Sequence, residues 1–255
     1  MISYITASFT PTGPPLDGQH ITLKGYRGLL YTGVLEPANP RYSAWLHDHP
    51  SPKPYSMAPY YTEEGHLAGV RFAAFNEETA HILADGWQYA EYQQLKLTLG
   101  KYQSFRAENV QLFPSTDFQT LANVLPERRM AVEFVSPAFY KQGELALPLP
   151  LPRNVFMQPL KIWNAFAPSG LTIDREFSDW IERDVGIVHH ELRSIEVNYD
   201  RRTPLIGFVG RVSFEAHKKA PKSMLSCWQS LGHFLPLCGT GGRTTVGMGM
   251  VERIG

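Results

Sequence analysis

The chain has 255 residues, of which 43% are hydrophobic and 19% charged, with 20 prolines, 21 glycines and a formal net charge of zero. This length suits one large domain or two modules of about 120 residues, and the proline and glycine content argues against long helical bundles. With no net charge, bulk electrostatics give no argument for a nucleic-acid partner.

The first half of the chain is predicted to alternate between strands and helices. Aromatic and β-branched residues predict strands at 2–10, 67–75, 95–100 and 102–113. Apolar residues at helical spacing predict a helix from about Asp17 to the sequence EPANP, and Asn76 is expected to cap a second helix over 79–90. The stretch from Arg41 to Pro59 is expected to be irregular.

The second half is predicted to repeat this order. Strands are expected at 129–136, 185–199, 204–215 and 245–253. One helix is expected over 156–166, and a second from Pro221 to about Leu235. The second half follows the strand–helix–strand–strand–helix–strand order of the ferredoxin-like fold, and the first half is interpreted as the same pattern. We therefore predict an α+β protein with two tandem ferredoxin-like (RRM-like) modules, 1–122 and 123–255.

The most informative motif is the glycine-rich loop from Gly239 to Gly249, GTGGRTTVGMG. Non-consecutive glycines permit positive φ and close approach to another surface, and successive N–H groups in such a loop can form an anion-binding nest. The Gly-Lys pair of a nucleotide-phosphate loop is absent, and the loop leads into a strand, which argues against nucleotide and dinucleotide motifs. A phosphate-binding loop and a tight turn without a ligand both fit these residues.

Three segments resemble one group of proteins. Residues 233–252 resemble the C-terminal glycine-rich loop of the CRISPR-associated RAMP superfamily. Residues 135–166, with the pair Trp163 and Asn164, resemble the second-domain opening of its repeat-cleaving endoribonucleases, the Cas6 family. Residues 45–61, WLHDHPSPKPYSMAPYY, resemble the histidine region of that family. Together the three segments favour the nuclease branch of the superfamily.

The resemblance implies an endoribonuclease that cuts CRISPR precursor RNA into crRNA units without a metal or other cofactor. Such a cut needs a proton removed from the 2′-OH, a proton given to the leaving 5′-oxygen, and stabilisation of charge on the phosphate. The family's Tyr, His and Lys set falls on Tyr31, His47 and Lys53, and His49 is a rival to His47. The implied products are a 2′,3′-cyclic phosphate and a 5′-OH.

The partner implied by the resemblance is CRISPR repeat RNA, contacted by the glycine-rich loop and by the central strand pair of the second module. Charge supports this placement, since residues 201–222 carry six basic residues against one acidic residue. The candidate RNA-binding residues are Gly239, Gly241, Arg243, Thr244, Thr245, Gly247, Gly249, Arg201, Arg202, Lys218 and Lys219.

Two other functions stay open from the residues alone. A RAMP subunit that binds RNA without cutting it, within a CRISPR effector complex, would share the fold and the loop. A ferredoxin-like module that binds a small anion or a protein would use the loop as a plain nest.

Cys227 and Cys238 form no zinc spacing and are expected to be buried small hydrophobes. No apolar run approaches the roughly 20 residues of a membrane span, and no secretion signal is evident, so a cytoplasmic protein is expected.

Overall fold

A computed structural model describes residues 1–17, 21–99, 103–200 and 203–254. Contacts within it divide the chain into two units. The first comprises the described parts of Met1–Ser115, Asn198–Pro204 and Thr245–Gly247, and the second those of Thr116–Val197, Leu205–Thr244 and Met248–Gly255. The main division therefore falls at Ser115, inside the predicted first module, and the three residues Thr245–Gly247 of the glycine-rich loop are grouped with the first unit.

The first unit is built on a five-stranded sheet. Its elements are β1 Ile2–Pro11, α1 Leu23–Gly28, a π-helix Leu29–Leu35, α2 Glu36–Ala38, α3 Pro40–Asp48, β2 Tyr55–Tyr61, β3 Leu67–Ala74, α4 Glu77–Tyr92, β4 Leu97–Leu99 and β5 Gln103–Thr116. The strand order β2-β3-β1-β5-β4 is a ferredoxin-like order with β4 added at one edge.

Alternation along β1 and a capped helix create the core of this unit. Phe9 of β1 packs on Phe105 and Trp87, with ring centroids 4.1 and 5.7 Å apart, and Trp87 also meets Phe72. The Asn76 side chain accepts a 2.8 Å hydrogen bond from the Thr79 N–H at the start of α4. The predicted cap and helix are therefore confirmed.

The first helix ends within EPANP, as predicted. The chain runs from α1 through the π-helix into α2, which contains Pro37 and ends at Ala38, and Asn39 is extended with φ −162° and ψ 114°. Helix α3, which was not predicted, then begins at Pro40. Proline is tolerated in the first turn of a helix because its missing N–H has no partner there. Asn39 caps α3 by accepting from the Arg41 N–H. The stretch expected to be irregular is therefore α3 followed by β2.

The second unit has a four-stranded sheet in the order β11-β6-β10-β9, again ferredoxin-like, and a separate hairpin β7-β8. Its elements are α5 Phe118–Ala122, β6 Arg129–Ala138, β7 Tyr140–Gln142, β8 Leu145–Leu147, α6 Pro152–Phe166, α7 Glu176–Asp184, β9 Val185–Asp200, β10 Thr203–Ala216, α8 Lys222–Cys238 and β11 Val251–Ile254. Phe156, Phe214 and Trp228 join α6, β10 and α8 in its core.

Several elements of this unit differ from expectation, since α5 and the hairpin strands β7 and β8 were not predicted. The last strand begins at Val251 and not at Thr245, because Thr244–Val246 form a 3-10 turn and Gly247 and Gly249 have positive φ. Helix α7 was not predicted, although its buried residues Phe177, Trp180 and Ile181 show the helical spacing i, i+3, i+4.

The family-like pair Trp163 and Asn164 has a structural role. The Asn164 side chain donates to the carbonyl of Ile173 and accepts from its N–H, both at 2.9 Å, and Trp163 Nε1 donates to the Leu171 carbonyl at 2.7 Å. These bonds fix the segment that leads from α6 to α7.

Two smaller expectations can be compared with the described residues. Cys238 is buried and Cys227 only half-buried, and both are free thiols. No helix in the described parts of the chain combines the length and the apolar character that a membrane crossing needs.

Candidate functional site

His47 lies in the last turn of α3 and is held by two charged side chains. Its Nε2 lies 2.7 Å from Nη2 of Arg27, and its Nδ1 lies 2.9 Å from Oδ1 of Asp48. A guanidinium group only donates hydrogen bonds, so Nε2 must be the acceptor and the ring proton must lie on Nδ1. The Nε2 lone pair of His47 therefore faces a cation, and its side chain is 52% exposed.

Tyr31 lies beside this histidine on the π-helix. The Glu36 N–H bonds to the carbonyl of Tyr31, five residues earlier, which is the pattern of a π-helix and is frequent at functional sites. The rings of Tyr31 and His47 meet edge to face with centroids 5.6 Å apart, and Cζ of Arg27 lies 5.9 Å from the Tyr31 centroid. The structure therefore brings two predicted residues together and adds Arg27.

The hydroxyl of Tyr31 has a buried partner. It lies 3.0 Å from the hydroxyl of Tyr55, the first residue of β2, which is 2% exposed. Burial raises the pKa of Tyr31, while the hydrogen bond with Tyr55 and the charge of Arg27 lower it in part. Because the net shift is upward, Tyr31 keeps its proton in neutral solution and can donate it.

Lys53 caps the end of α3. Its Nζ lies 3.1 Å from the carbonyl oxygen of Leu46 and 2.6 Å from those of His47 and His49. The last carbonyls of a helix have no partner within the helix, so an ammonium group here satisfies them and favours the negative helix end. Three contacts match the three N–H bonds of the ammonium. Burial, followed by the charge of Arg27, lowers the pKa of Lys53.

His49 has different surroundings from His47. Its ring packs edge to face on Trp45 with centroids 5.3 Å apart, and its Nδ1 lies 2.8 Å from the carbonyl oxygen of Pro50. A carbonyl only accepts, so Nδ1 donates its proton there. Of the two histidines, His47 is therefore the one that contacts Tyr31 and Arg27.

The glycines of the glycine-rich loop are required by the packing of the loop itself. Positive φ occurs at Gly239, Gly241, Arg243, Gly247 and Gly249. A Cβ at Gly249 would overlap the carbonyl oxygen of Thr240, and one at Gly241 would lie 2.5 Å from the carbonyl oxygen of Phe139. Both obstacles are backbone atoms, so a side chain could not be accommodated by rotation of a neighbour.

Several N–H groups that a nest would need are used inside the protein. Thr240 donates to Gly249, Gly242 to Phe139, and Gly249 to Pro137, each at 2.9 Å. Gly239, Thr244, Gly247 and Gly249 are buried, Gly241 and Thr245 are partly exposed, and Arg243 is exposed. Of the seven predicted loop contacts, Arg243 is therefore the most accessible to a large ligand.

The predicted basic residues fall in two places. Lys218 and Lys219 are exposed between β10 and α8, and Arg201 and Arg202 lie outside the described residues. Nearby, Arg128 pairs with Glu215 and Arg183 with Asp184. Among the residues that the structure describes, no group of three or more His, Cys, Asp and Glu side chains could hold a metal ion.

Three residues near His47 were missed from sequence. Arg27 precedes Tyr31 by four residues, and this helical spacing could have drawn attention to it. Asp48 is adjacent to His47 in the chain. Tyr55 has no comparable local signal, because its contact with Tyr31 depends on how β2 packs beside the π-helix.

Comparison with known proteins gives one family and several similar structures. The family model of the CRISPR-associated endoribonuclease Cas6 matches residues 132–251. A Cas6 product complex has a TM-score of 0.79 at 23% identity, with 100% of each chain covered. A Cas6 of Thermus thermophilus, also a product complex, has a TM-score of 0.81 at 20% identity, again with 100% of each chain covered. A search of curated proteins by sequence gives no match.

A more distant structure, described as a RAMP protein binding different RNA substrates, has a TM-score of 0.51 at 13% identity and covers 99% of this chain and 100% of the other. At these identities the likeness is one of fold. It agrees with the sheet orders of the two units, so the prediction of two tandem ferredoxin-like modules is confirmed.

Proposed function

We propose that this chain is a member of the CRISPR-associated endoribonuclease Cas6 family, whose model matches residues 132–251, and that it binds CRISPR repeat RNA and cuts it beside His47. The observation that carries the proposal is the position of the His47 ring, held between Asp48 and Arg27 against the Tyr31 ring. The similar solved structures include Cas6 product complexes and a Cas6 substrate mimic complex. These complexes support repeat RNA as the partner here.

The three tasks of the reaction can be assigned to three side chains. Nε2 of His47 removes the proton from the 2′-OH, because it is the ring nitrogen that carries a lone pair. Arg27 moves from His47 to the phosphate and stabilises its developing charge. Tyr31 gives its proton to the 5′-oxygen as the bond from phosphorus to that oxygen breaks. The products are a 2′,3′-cyclic phosphate and a 5′-OH.

Lys53 has a structural role in this site. Its ammonium group holds the carbonyls of Leu46, His47 and His49 and thereby fixes the turn that carries the base. We assign Lys53 to positioning His47, and Arg27 to the charge stabilisation that the family resemblance gave to the lysine. His49 stays the rival base, with a ring directed to Trp45.

RNA binding is assigned to the exposed parts of the predicted surface. Arg243, Lys218 and Lys219 would contact phosphates, which position an RNA without reading its sequence. The buried glycines Gly239, Gly247 and Gly249 would support the loop that carries Arg243. Arg201 and Arg202 stay predictions for the same surface, and subunits of a CRISPR effector complex stay candidate partners.

The reaction is tested with a labelled repeat RNA from the same CRISPR locus, under single-turnover conditions in excess EDTA. We expect one cut in EDTA and none when the nucleotide before the cut carries a 2′-deoxy sugar, with affinity for that RNA unchanged. A 2′-deoxy sugar two nucleotides away is the matched control and should be cut normally. Activity lost in EDTA and restored by a defined ion would contradict the metal-independent route. Tight binding of the repeat without any cut would favour an RNA-binding subunit.

A further inference from the structure

Tyr31 is the outer end of a chain of three hydroxyl groups. Its hydroxyl lies 3.0 Å from that of Tyr55, and the side chain of Thr245 is also hydrogen-bonded to Tyr55. Tyr55 is buried, while Tyr31 and Thr245 are partly exposed. All three residues belong to the first unit, so the chain of hydroxyls lies within one body.

The hydroxyls of Tyr31 and Tyr55 can share their hydrogen bond in either direction. Burial is the main cause that raises the pKa of Tyr55, so Tyr55 keeps its single O–H and can donate it to one neighbour. When Thr245 donates to Tyr55 and Tyr55 donates to Tyr31, the O–H of Tyr31 is left for another acceptor. This is the arrangement in which Tyr31 can give up its proton.

The segment that carries Thr245 lies along one face of β2. Tyr55, Met57 and Pro59 alternate along the strand and share this face. A Cβ at Gly247 would lie 2.8 Å from Cδ of Pro59 and 3.4 Å from Cε of Met57, and Gly247 has a φ of +94°. Only glycine allows this approach, so Gly247 helps to place the preceding 3-10 turn, and Thr245 within it, against Tyr55.

We propose that Tyr55 and Thr245 are positioning residues for Tyr31, which hold its hydroxyl and stabilise the negative charge on its oxygen as the proton leaves for the 5′-oxygen. This inference rests on the proposed function. The O2′–P bond forms while the P–O5′ bond breaks, the 2′-OH proton goes to His47 Nε2, and the Tyr31 proton goes to O5′. Thr245 thus acts through Tyr31 and not by touching RNA, although its loop belongs to the predicted RNA-binding surface.

The test separates rate from affinity. Single-turnover cleavage is measured at saturating protein, and affinity is measured with the 2′-deoxy repeat, for Tyr55→Phe, Thr245→Val and Thr245→Ser. A hydrogen bond to a developing charge predicts a rate loss of about tenfold or more for Tyr55→Phe, and about twofold to tenfold for Thr245→Val. Thr245→Ser keeps the hydroxyl and should restore the rate, and affinities should stay unchanged.

Tyr60→Phe is the matched control. Tyr60 lies on the same strand, and its hydroxyl bonds to the hydroxyl of Ser8 at 3.0 Å and to the carbonyl of Ala7 at 3.2 Å, so the variant removes a bonded hydroxyl outside the chain to Tyr31. It should cut at the wild-type rate. An equal loss in Tyr60→Phe would mean that Tyr55→Phe reports general damage to β2 and would overturn the inference.

The route through Tyr31 is tested by adding Tyr31→Phe. The effect of Tyr55→Phe should disappear in the Tyr31→Phe background, because its target hydroxyl is already absent. Persistence of the full effect there, or weaker RNA affinity with a normal rate in Thr245→Val, would overturn the inference while the nuclease function stands. A wild-type protein that does not cut would overturn the proposed function and this inference with it.

Discussion

The histidine segment, residues 45–61, and the glycine-rich loop, residues 239–249, direct their polar groups in different ways. In the histidine segment the side chain of His47 is half exposed and contacts other polar side chains, Arg27 and Asp48. In the loop, backbone N–H groups of Thr240, Gly242 and Gly249 are bonded to carbonyls of the protein. The polar side chains of the histidine segment can act on a ligand, whereas the polar backbone groups of the loop stabilise the protein itself.

The two regions therefore differ in use: the loop is the better motif for recognising the family, and the histidine segment is where the proposed reaction takes place. The glycine-rich loop is the more distinctive motif, because backbone atoms stand where a side chain would have to lie at Gly241 and Gly249. The histidine segment is less distinctive in letters, yet it carries the proposed site, where side chains from α1, the π-helix and α3 meet. Variants in the two regions should therefore fail in different ways.

The largest effect is expected for His47→Ala. Loss of a proton-transfer group should lower the single-turnover cleavage rate about 10²-fold to 10⁴-fold, with affinity for the 2′-deoxy repeat unchanged. His49→Ala is the control, since its ring packs on Trp45 and its Nδ1 donates to a carbonyl, and it should cut at close to the wild-type rate. A larger loss in His49→Ala than in His47→Ala would move the chemistry to His49.

Gly249→Ala should affect stability and not only the reaction. Gly143 supplies the control, because its φ of +61° is close to the +66° of Gly249, while nothing lies within 4 Å of an added Cβ. Gly143→Ala should cost about 1–2 kcal/mol of unfolding free energy, for the positive φ alone. Gly249→Ala adds overlap with the Thr240 carbonyl and should cost about 1–3 kcal/mol more.

The measurement is the midpoint of denaturant unfolding, compared only where the m-value is unchanged. Equal losses in the two variants would mean that the loop relaxes around an added methyl group. The packing explanation of Gly249 would then fail, and direct contact with RNA would become the better reason for glycine at this position.

Local patterns made much of the fold predictable. Apart from β2, the strands of both sheets follow from alternation, and helix α4 follows from helical spacing and the Asn76 cap; these signals act within a few residues. The prediction failed after Asn39, where Pro40 opens helix α3 in a stretch that was expected to be irregular. It also failed at Thr245, where β-branched residues suggested the start of a strand, but a 3-10 turn and glycines with positive φ delay the strand to Val251.

The site was only partly predictable for a different reason. Tyr31 and His47 were identified through resemblance, and the structure brings their rings to 5.6 Å. The roles of Arg27 and Lys53 depend on which atoms their long side chains reach, and spacing does not specify this. The contact of Tyr31 with Tyr55 joins residues 24 apart in the chain and requires β2 to be in place.

The smallest and sharpest effects are expected for Arg243→Gly. Arg243 is exposed and has a φ of +67°, which is strained for a residue with a side chain, so glycine should raise the unfolding free energy by about 1 kcal/mol. If Arg243 contacts an RNA phosphate, the same change should weaken repeat binding several-fold and reduce the salt slope by about one. The measurements are denaturant unfolding and binding of the 2′-deoxy repeat at several salt concentrations.

Asn109→Gly is the control for Arg243→Gly, since Asn109 is also exposed with positive φ, at +52°, and lies on β5, outside the predicted RNA surface. It should change stability slightly and leave RNA binding unaltered. A gain in stability together with a loss of RNA affinity in Arg243→Gly would mean that Arg243 serves RNA binding at the expense of backbone strain. Unchanged affinity would instead mean that the whole loop has only a structural role. RNA contact would then have to be sought at Lys218, Lys219 and the segment around Arg201.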